Sequence, residues 1–247
     1  MKQLIEYFDR AYIINLPERT DRRRSITQEF DAIGIKIPDK KVQFFSAIRP
    51  KEAGDFYAIG AKGSFYSHRS VLELAAAARL NNVLVFEDDV AFRKIPAAQI
   101  ERILSALRAA TWDVVYFGYL EPESVELKGP LAEWPDDTLG GHFYAVNGRF
   151  ANTMIRYMNE CEGRPRNHPD GGPMSRDGAF NHIRYVIPNI HVLLAVPNLA
   201  FQRSSRTDIA PVRFYDRLPL LRPIVELARA AKTKIRFSLD KIDPGGN

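Results

Sequence analysis

An unbroken apolar run at residues 83–86 leads directly into three acidic residues, Glu87, Asp88 and Asp89. Four apolar residues in succession predict a short, fully apolar β-strand, and the acids mark its carboxyl end. Segments typical of strands and of helices alternate on both sides of it through the first half of the chain. This alternation predicts an α/β fold with a mostly parallel central sheet.

The individual elements can be placed from hydrophobic spacing and helix propensity. In the first half, strands are predicted at residues 11–16, 42–48, 83–86 and 112–118, and helices at residues 25–33, 65–80 and 97–110. In the less regular second half, strands are predicted near 142–146 and 190–196, helices near 149–161 and 219–234, and long loops at 121–141 and 163–178. Loops of this length in a compact domain are either functional or disordered.

Size and composition exclude a disordered chain, a collagen and a coiled coil. The chain has 247 residues, of which 45% are hydrophobic and 26% charged, as in ordinary globular proteins. A chain of this length buries enough surface to fold without disulfides or metal staples. We divide it into a catalytic domain at residues 1–211 and a basic, amphipathic helical tail at residues 212–247.

The expected location is cytoplasmic. No apolar run approaches the ~20 residues needed to span a bilayer, and the first residues carry charges where a signal peptide needs an apolar stretch. The single cysteine, Cys161, cannot form an internal disulfide, which fits a reducing compartment.

The positive charge is concentrated in the tail. Residues 212–247 hold eight Lys/Arg and four Asp/Glu, which accounts for +4 of the net charge of +5. The nearly neutral remainder argues against a nucleic-acid partner, because such proteins spread basic residues over their binding face. The tail itself is interpreted either as a helix lying on an anionic membrane surface or as a terminal helix packed on the catalytic domain.

The acidic triplet is a candidate metal or ligand site. In open α/β sheets, ligands bind at the carboxyl ends of the strands. Adjacent carboxylates repel one another, and a divalent cation such as Mg²⁺ or Mn²⁺ would relieve that repulsion through hard oxygen ligands. The alternative is a solvated acidic turn after a buried strand.

An arginine-rich segment follows the first predicted strand, and we interpret it as a polar turn at residues 18–24. It contains Arg19, Arg22, Arg23 and Arg24. One guanidinium group can bind two phosphate oxygens at once. Arginines that face the acids would therefore suit a metal-bound diphosphate. The alternative is a solvated charge run that pairs with Glu18 and Asp21.

Two further residues are candidates for chemistry. His68 is expected near the start of the 65–80 helix, with Ser64 or Ser67 as its cap, where a neutral histidine donates to phosphate or sugar. The alternative for His68 is a structural role. Asp177 follows a loop rich in glycine and proline, and it is interpreted as a helix cap or a general base.

Four of these segments, in this order, resemble glycosyltransferase family 25, which includes lipooligosaccharide and collagen galactosyltransferases. They are Ile14-Asn15-Leu16 with Arg19 and Arg22, then Phe45-Ser46-Ala47-Ile48, then Gly63 with Ser67-His68, then Val85-Phe86-Glu87-Asp88-Asp89. Weaker similarities lie at residues 141–146, at Asp177 and at residues 197–205, so the resemblance covers about residues 10–210.

The resemblance implies a GT-A-like nucleotide-binding fold with helices on both faces of the sheet. It implies inverting transfer of a sugar, commonly galactose, from a UDP-sugar to a glycan or lipid-linked glycan such as lipooligosaccharide. Mn²⁺ or Mg²⁺ would be held by Asp89, in this family's version of the DxD motif, and Asp177 would be the catalytic base. The residues that would contact the nucleotide-sugar are Asn15, Arg19, Arg22, Ala47, Ser67, His68, Glu87 and Asp88.

Two other classes of function remain open from the residues alone. One is a different metal-dependent nucleotide enzyme, either a nucleotidyltransferase or a phosphohydrolase, that uses the same acids. The other is a non-catalytic module that binds nucleotides, or anionic membranes through its basic tail. A glycosyltransferase is favoured over both.

Overall fold

The computed structural model describes residues 1–120 and 127–203. Within them the helices are α1 (Lys2–Tyr7), α2 (Thr20–Ala32), α3 (Ile59–Ala77), α4 (Ala97–Ala109), α5 (Gly148–Gly163) and α6 (Arg176–Val186). The strands are β1 (Arg10–Asn15), β2 (Val42–Ser46), β3 (Asn82–Glu87), β4 (Val90–Phe92), β5 (Val114–Gly118), β6 (Leu131–Glu133), β7 (Phe143–Asn147), β8 (Val192–Ala195) and β9 (Ala200–Gln202).

Seven of these strands form one sheet in the order β2-β1-β3-β7-β5-β8-β6. Strands β2, β1, β3, β5 and β8 point in one direction, whereas β7 and β6 are antiparallel to their neighbours. Strands β4 and β9 pair separately as a small antiparallel sheet. The expected α/β class with a mostly parallel sheet is confirmed.

Helices cover both faces of the main sheet. Helices α1, α2 and α4 pack on one face, where Ile13 and Phe86 point, and α3, α5 and α6 pack on the other, where Tyr12 and Val85 point. Successive side chains of a strand point to opposite faces. Strands covered on both faces therefore read as continuous apolar runs, which is why residues 83–86 show no polar alternation.

The sequence predicted most elements of the main sheet. Its six predicted strands are confirmed, with ends within two residues, and so are the helices at 97–110 and 149–161. Elements that were not predicted are α1, α6 and the short strands β4, β6 and β9. The predicted loops at 121–141 and 163–178 are therefore wrong in part, because β6 and the start of α6 lie within them.

Two predicted helix starts are wrong. Helix α2 begins at Thr20, so most of the arginine-rich turn expected at 18–24 is its first turn, and Asp21 there favours the helix amino terminus. Helix α3 begins at Ile59, six residues before the predicted start. The early glycines, Gly60 and Gly63, lower helix propensity but do not prevent the helix. His68 therefore lies in the third turn of α3.

The capping serines expected for α3 are also reassigned. The N-cap is Ala58, and no side chain caps this end. The Ser67 hydroxyl donates to the Gly63 carbonyl at 2.6 Å and accepts a hydrogen bond from the Ile48 amide at 2.8 Å. Ser67 thus ties the segment after β2 to α3.

The basic tail at residues 212–247, its boundary at residue 211, and Ser204-Ser205 lie outside the described residues. Where the structure is described, no helix is both long enough and apolar enough to cross a bilayer.

Gly63→Ala should destabilise the fold. A Cβ at this position would lie 2.7 Å from the Ile48 carbonyl oxygen, so α3 or the β2 connection must move. We expect a loss of about 1–3 kcal/mol in the free energy of unfolding, measured by urea denaturation. The control is Gly163→Ala, where a Cβ meets nothing within 4 Å. Equal stability of the two variants would contradict the close approach.

Candidate active site

The acidic triplet lies where two parallel strands end. Glu87 is the last residue of β3 and pairs with Ile14, which precedes Asn15 at the end of β1. Gln202 enters the same region because β9 pairs with β4, where it lies opposite Val90. The expectation that the ends of the first and third predicted strands share one edge of the sheet is confirmed.

Asp88 is bound within the protein on both carboxylate oxygens. Asn15 Nδ2 donates to Oδ2 at 2.7 Å, and Arg22 Nη1 donates to Oδ1 at 2.8 Å. Asp88 and Asp89 are only 6% and 5% exposed. The alternative of a solvated acidic turn is therefore wrong.

The arginines at the start of α2 divide between the site and a pair with an exposed acid. Arg22 enters the site, while Arg19 pairs with the exposed Asp21 through two hydrogen bonds of 3.0 and 2.9 Å. Hydrogen bonding to Arg19 lowers the pKa of Asp21 to about 2. The interpretation that places arginines beside the acids therefore fits Arg22, and the interpretation as a charge run paired with Asp21 fits Arg19.

Asp89 is a buried carboxylate with one open oxygen. Its Oδ2 lies 3.2 Å from Gln202 Nε2 and 3.3 Å from Arg22 Nη1. Its Oδ1 is buried and has no hydrogen-bond partner among residues 1–120 and 127–203. Burial raises the pKa of Asp89, the neighbouring Arg22 opposes that shift, and Asp88 adds to it.

The unpartnered Oδ1 of Asp89 could serve as one of the few protein ligands of a cation. In the described part of the chain, no three His, Cys, Asp or Glu side chains are grouped to hold a metal ion. Mg²⁺, however, is commonly held by one or two carboxylates together with substrate phosphates rather than by an all-protein cage. A single carboxylate oxygen beside Arg22 suits that arrangement.

Glu87 faces the other side of the site and is held by Arg176, the first residue of α6. Arg176 Nη2 donates to Glu87 Oε1 at 2.8 Å and to the Gly141 carbonyl at 2.7 Å, and its Nη1 pairs with Asp177. Burial raises the pKa of Glu87 to about 7; Arg176 opposes the shift, while Asp89 and Asp177 add to it.

A cavity of about 170 Å³ opens beside this group. Its walls include Ser64, Glu87, Gly140, Ser175, Asp177 and Gln202. The N-cap of α6 is Ser175, whose side chain accepts from the Gly178 amide, so the cap interpretation of Asp177 is wrong. Asp177 instead lies on the cavity wall with its side chain 33% exposed.

His68 lies behind Glu87. Its Nδ1 is 2.6 Å from the Tyr144 hydroxyl and its Nε2 is 3.8 Å from Glu87 Oε1. Burial, assisted by Arg176, lowers its pKa well below the usual range, so the ring is neutral as expected. The buried environment causes this neutral state. The prediction that His68 lies at the amino terminus of a helix is wrong.

The remaining predicted contact residues form the backbone of this edge. The Ala47 amide donates to the Asn15 carbonyl at 2.9 Å, which extends the pairing of β1 and β2 past the ends of both strands. Ser67 is 1% exposed, and its hydroxyl accepts a hydrogen bond from the amide of Ile48, the residue after Ala47. Nucleotide contact by Ala47, Ser67 and His68 stays a prediction.

Sequence reasoning missed three residues that organise the site. Arg176 stands directly before Asp177, but nothing in a loop rich in glycine and proline indicates a buried arginine. Gln202 lies in a segment quoted only for resemblance. Arg203 donates from its backbone amide to the Asp89 carbonyl at 2.7 Å and from Nη2 to the Asp88 carbonyl at 3.1 Å.

Fold and site together define an open-sheet α/β protein with buried acids and paired arginines at the carboxyl ends of its strands. Residues 8–121 match the family model described as glycosyltransferase family 25 (LPS biosynthesis protein). This segment is therefore similar to family 25 glycosyltransferases, and the resemblance seen in the motifs is confirmed.

Individual relatives carry the same family name. A "Glycosyltransferase 25 family member" of Anopheles gambiae is 29% identical over 170 residues, covering 62% of this chain and 27% of the relative. One from Drosophila melanogaster is 33% identical over 127 residues, covering 44% and 21%. The human "Inactive glycosyltransferase 25 family member 3" is 30% identical over 129 residues, covering 45% and 22%. The chain thus spans between about a fifth and about a quarter of each relative.

Among solved structures, one similar chain is a glycosyltransferase involved in glycosylation of the major capsid of PBCV-1. It has a TM-score of 0.47 and 12% sequence identity, covering 80% of this chain and 95% of that one.

Asp88→Asn should destabilise the fold, because the amide removes the charge that Arg22 faces and one of the two acceptor oxygens. We expect a loss of about 1–3 kcal/mol in urea denaturation. The control is Asp170→Asn, at an exposed aspartate in the loop before α6, and there we expect a change within about 0.5 kcal/mol. A neutral Asp88→Asn would show that Asn15 and Arg22 do not depend on this carboxylate.

Proposed function

We propose that this protein is an inverting glycosyltransferase that moves a sugar, galactose by family resemblance, from a UDP-sugar to a glycan acceptor. The observation that carries the proposal is convergence at one sheet edge. Asn15, Arg22 and Asp89 come from the segment that matches family 25, and Asp177 from outside it approaches the same edge beside a cavity.

The donor diphosphate is assigned to the side of the site that holds Asp89 and Arg22. Mn²⁺ or Mg²⁺ held by Asp89 would supply positive charge to the leaving diphosphate. Arg22 supplies a permanent cation from the protein, aimed at the same place and already fixed by Asp88. Asn15, Arg19 and Ala47 border the nucleotide in this proposal.

The acceptor is assigned to the cavity. An inverting transfer is a single displacement, in which the acceptor hydroxyl attacks the anomeric carbon and gives its proton to a base. Asp177 is the base in this proposal, since its side chain lines the cavity and is accessible. Glu87 and Gln202, on the same walls, accept and donate hydrogen bonds to sugar hydroxyls.

The natural acceptor is proposed to be a surface glycan or lipid-linked glycan, such as lipooligosaccharide, assembled on the cytoplasmic side of a membrane. The basic tail would then hold residues 1–211 near an anionic membrane surface.

A non-catalytic nucleotide-binding protein is the second candidate, since a similar human protein is named inactive. Such a protein would bind the donor without transferring or hydrolysing it. A phosphohydrolase or nucleotidyltransferase would release inorganic phosphate or sugar 1-phosphate instead. Product analysis with UDP-galactose and Mn²⁺ separates the three.

Asp89→Asn should abolish cation-dependent donor binding, because the amide lacks the charge that a divalent cation needs. For the wild type, Mn²⁺ with UDP-galactose at ~100-fold excess over Kd should add about 2.7 kcal/mol of stability. We expect no such gain in Asp89→Asn, measured by thermal shift, and the full gain in the Asp170→Asn control. A Mn²⁺-dependent gain that persists in Asp89→Asn would refute this assignment.

Asp177→Asn should retain donor binding and lose transfer. Removal of a general base typically costs ~10²–10⁴-fold, and we expect a fall of that size in kcat. Asp170→Asn, at an exposed aspartate in the preceding loop, is the control and should keep wild-type activity. If Asp177→Asn loses UDP-galactose binding while remaining folded, Asp177 belongs to the donor site.

A further inference from the structure

Arg176 is an arginine buried inside the molecule. Its side chain is 3% exposed and lies over the rings of Tyr144 and Phe180, 5.2 and 6.0 Å from their centroids. A Cβ added to Gly141 would lie 2.3 Å from Tyr116 Cε1 and 2.9 Å from Arg176 Nη1, so the glycine makes room for both the ring and the guanidinium. A buried charge is costly unless it is paired, so its partners define its role.

Those partners are two carboxylates from distant parts of the chain. Nη2 donates a hydrogen bond to Glu87 at the end of β3, while Nη1 forms an ion pair without hydrogen-bond geometry with Asp177 in the first turn of α6. The Gly141 carbonyl accepts a further hydrogen bond from Nη2 and fixes the plane of the guanidinium. Glu87 and Asp177 both line the cavity, so one side chain sets the separation of two cavity carboxylates.

We propose that Arg176 is a positioning residue that holds Glu87 and Asp177 in register across the cavity, so that sugar and base meet in reactive geometry. This inference rests on the proposed function, in which Asp177 takes the acceptor proton. The Arg176 side chain is only 3% exposed at the cavity, and it acts through the two carboxylates that it pairs with.

A lysine could not replace this arrangement. A guanidinium is a rigid plane that presents separate N–H groups to two partners, whereas an ammonium is a single point charge on a flexible stem. Arg176→Lys keeps the positive charge but loses the fixed geometry. It therefore separates positioning from simple charge neutralisation.

The test is a double-mutant cycle of Arg176→Lys and Asp177→Asn. We expect Arg176→Lys to lower kcat by about 10²-fold, as misplacement of a reacting group by ~1 Å does, while the Kd for UDP stays unchanged. In the Asp177→Asn background, Arg176→Lys should cost far less, because the group it positions is already disabled. Losses in kcat that multiply would overturn the proposal.

The matched control is Arg69→Lys. Arg69 also lies between two carboxylates, Glu73 and Glu162, and over the ring of Tyr66 at 4.9 Å, but it is not on the cavity wall. We expect wild-type kcat in this variant. A similar loss there would mean that the kcat of Arg176→Lys reports general damage.

Glu87→Gln is the second variant if Arg176→Lys does not fold. Its amide keeps one oxygen for Arg176 but removes the charge that holds it, so the same non-additivity with Asp177→Asn is required. If the wild type transfers no sugar, the proposed function fails by itself. Crystal structures of the two variants then decide the positioning role: an Asp177 carboxylate that keeps its place relative to Glu87 would overturn it.

Discussion

Three consecutive carboxylates at the end of a buried strand are the constraint around which this molecule is arranged. Each acid is charged in water, and its burial is tolerated only if partners replace the lost hydration. Arg176 serves Glu87, Asn15 and Arg22 serve Asp88, and Gln202 with Arg22 serves Asp89. Arg22 belongs to α2 and Arg176 to α6, which cover opposite faces of the sheet. The acids therefore join both helical layers at one edge.

The end of the described chain closes this arrangement. Strand β9 pairs with β4, directly after the acids, and brings Gln202 and Arg203 to them. Arg203 binds the main-chain carbonyls of Asp88 and Asp89 and reaches Glu29 of α2 at 3.2 Å. The acidic turn is thus held through its backbone as well as through its side chains, and its carboxylates are oriented before any ligand arrives.

The sequence was informative where a pattern is local and misleading where packing decides. Apolar runs predicted the main strands, and the acidic triplet with Arg22 could be placed at one edge because parallel strands end together. The start of α3 was missed because Gly63 lowers helix propensity, yet the close approach to Ile48 requires a glycine there. Arg176 could not be found, because its burial depends on Glu87, nearly ninety residues earlier, and on space left by Gly141.

Strand β7 runs against its neighbours, so the chain enters the sheet at the site edge instead of leaving it there. Main-chain carbonyls just before β7 thereby become part of the polar network: His142 accepts from the Glu87 amide at 2.9 Å, and Gly141 accepts from Arg176. Replacing a side chain does not delete a backbone oxygen. Part of this network is therefore insulated from mutational drift, and what is left for selection to guard in this short entry segment is the small size of residues 140 and 141, where a Cβ would lie 2.8 Å from Leu120 and 2.3 Å from Tyr116.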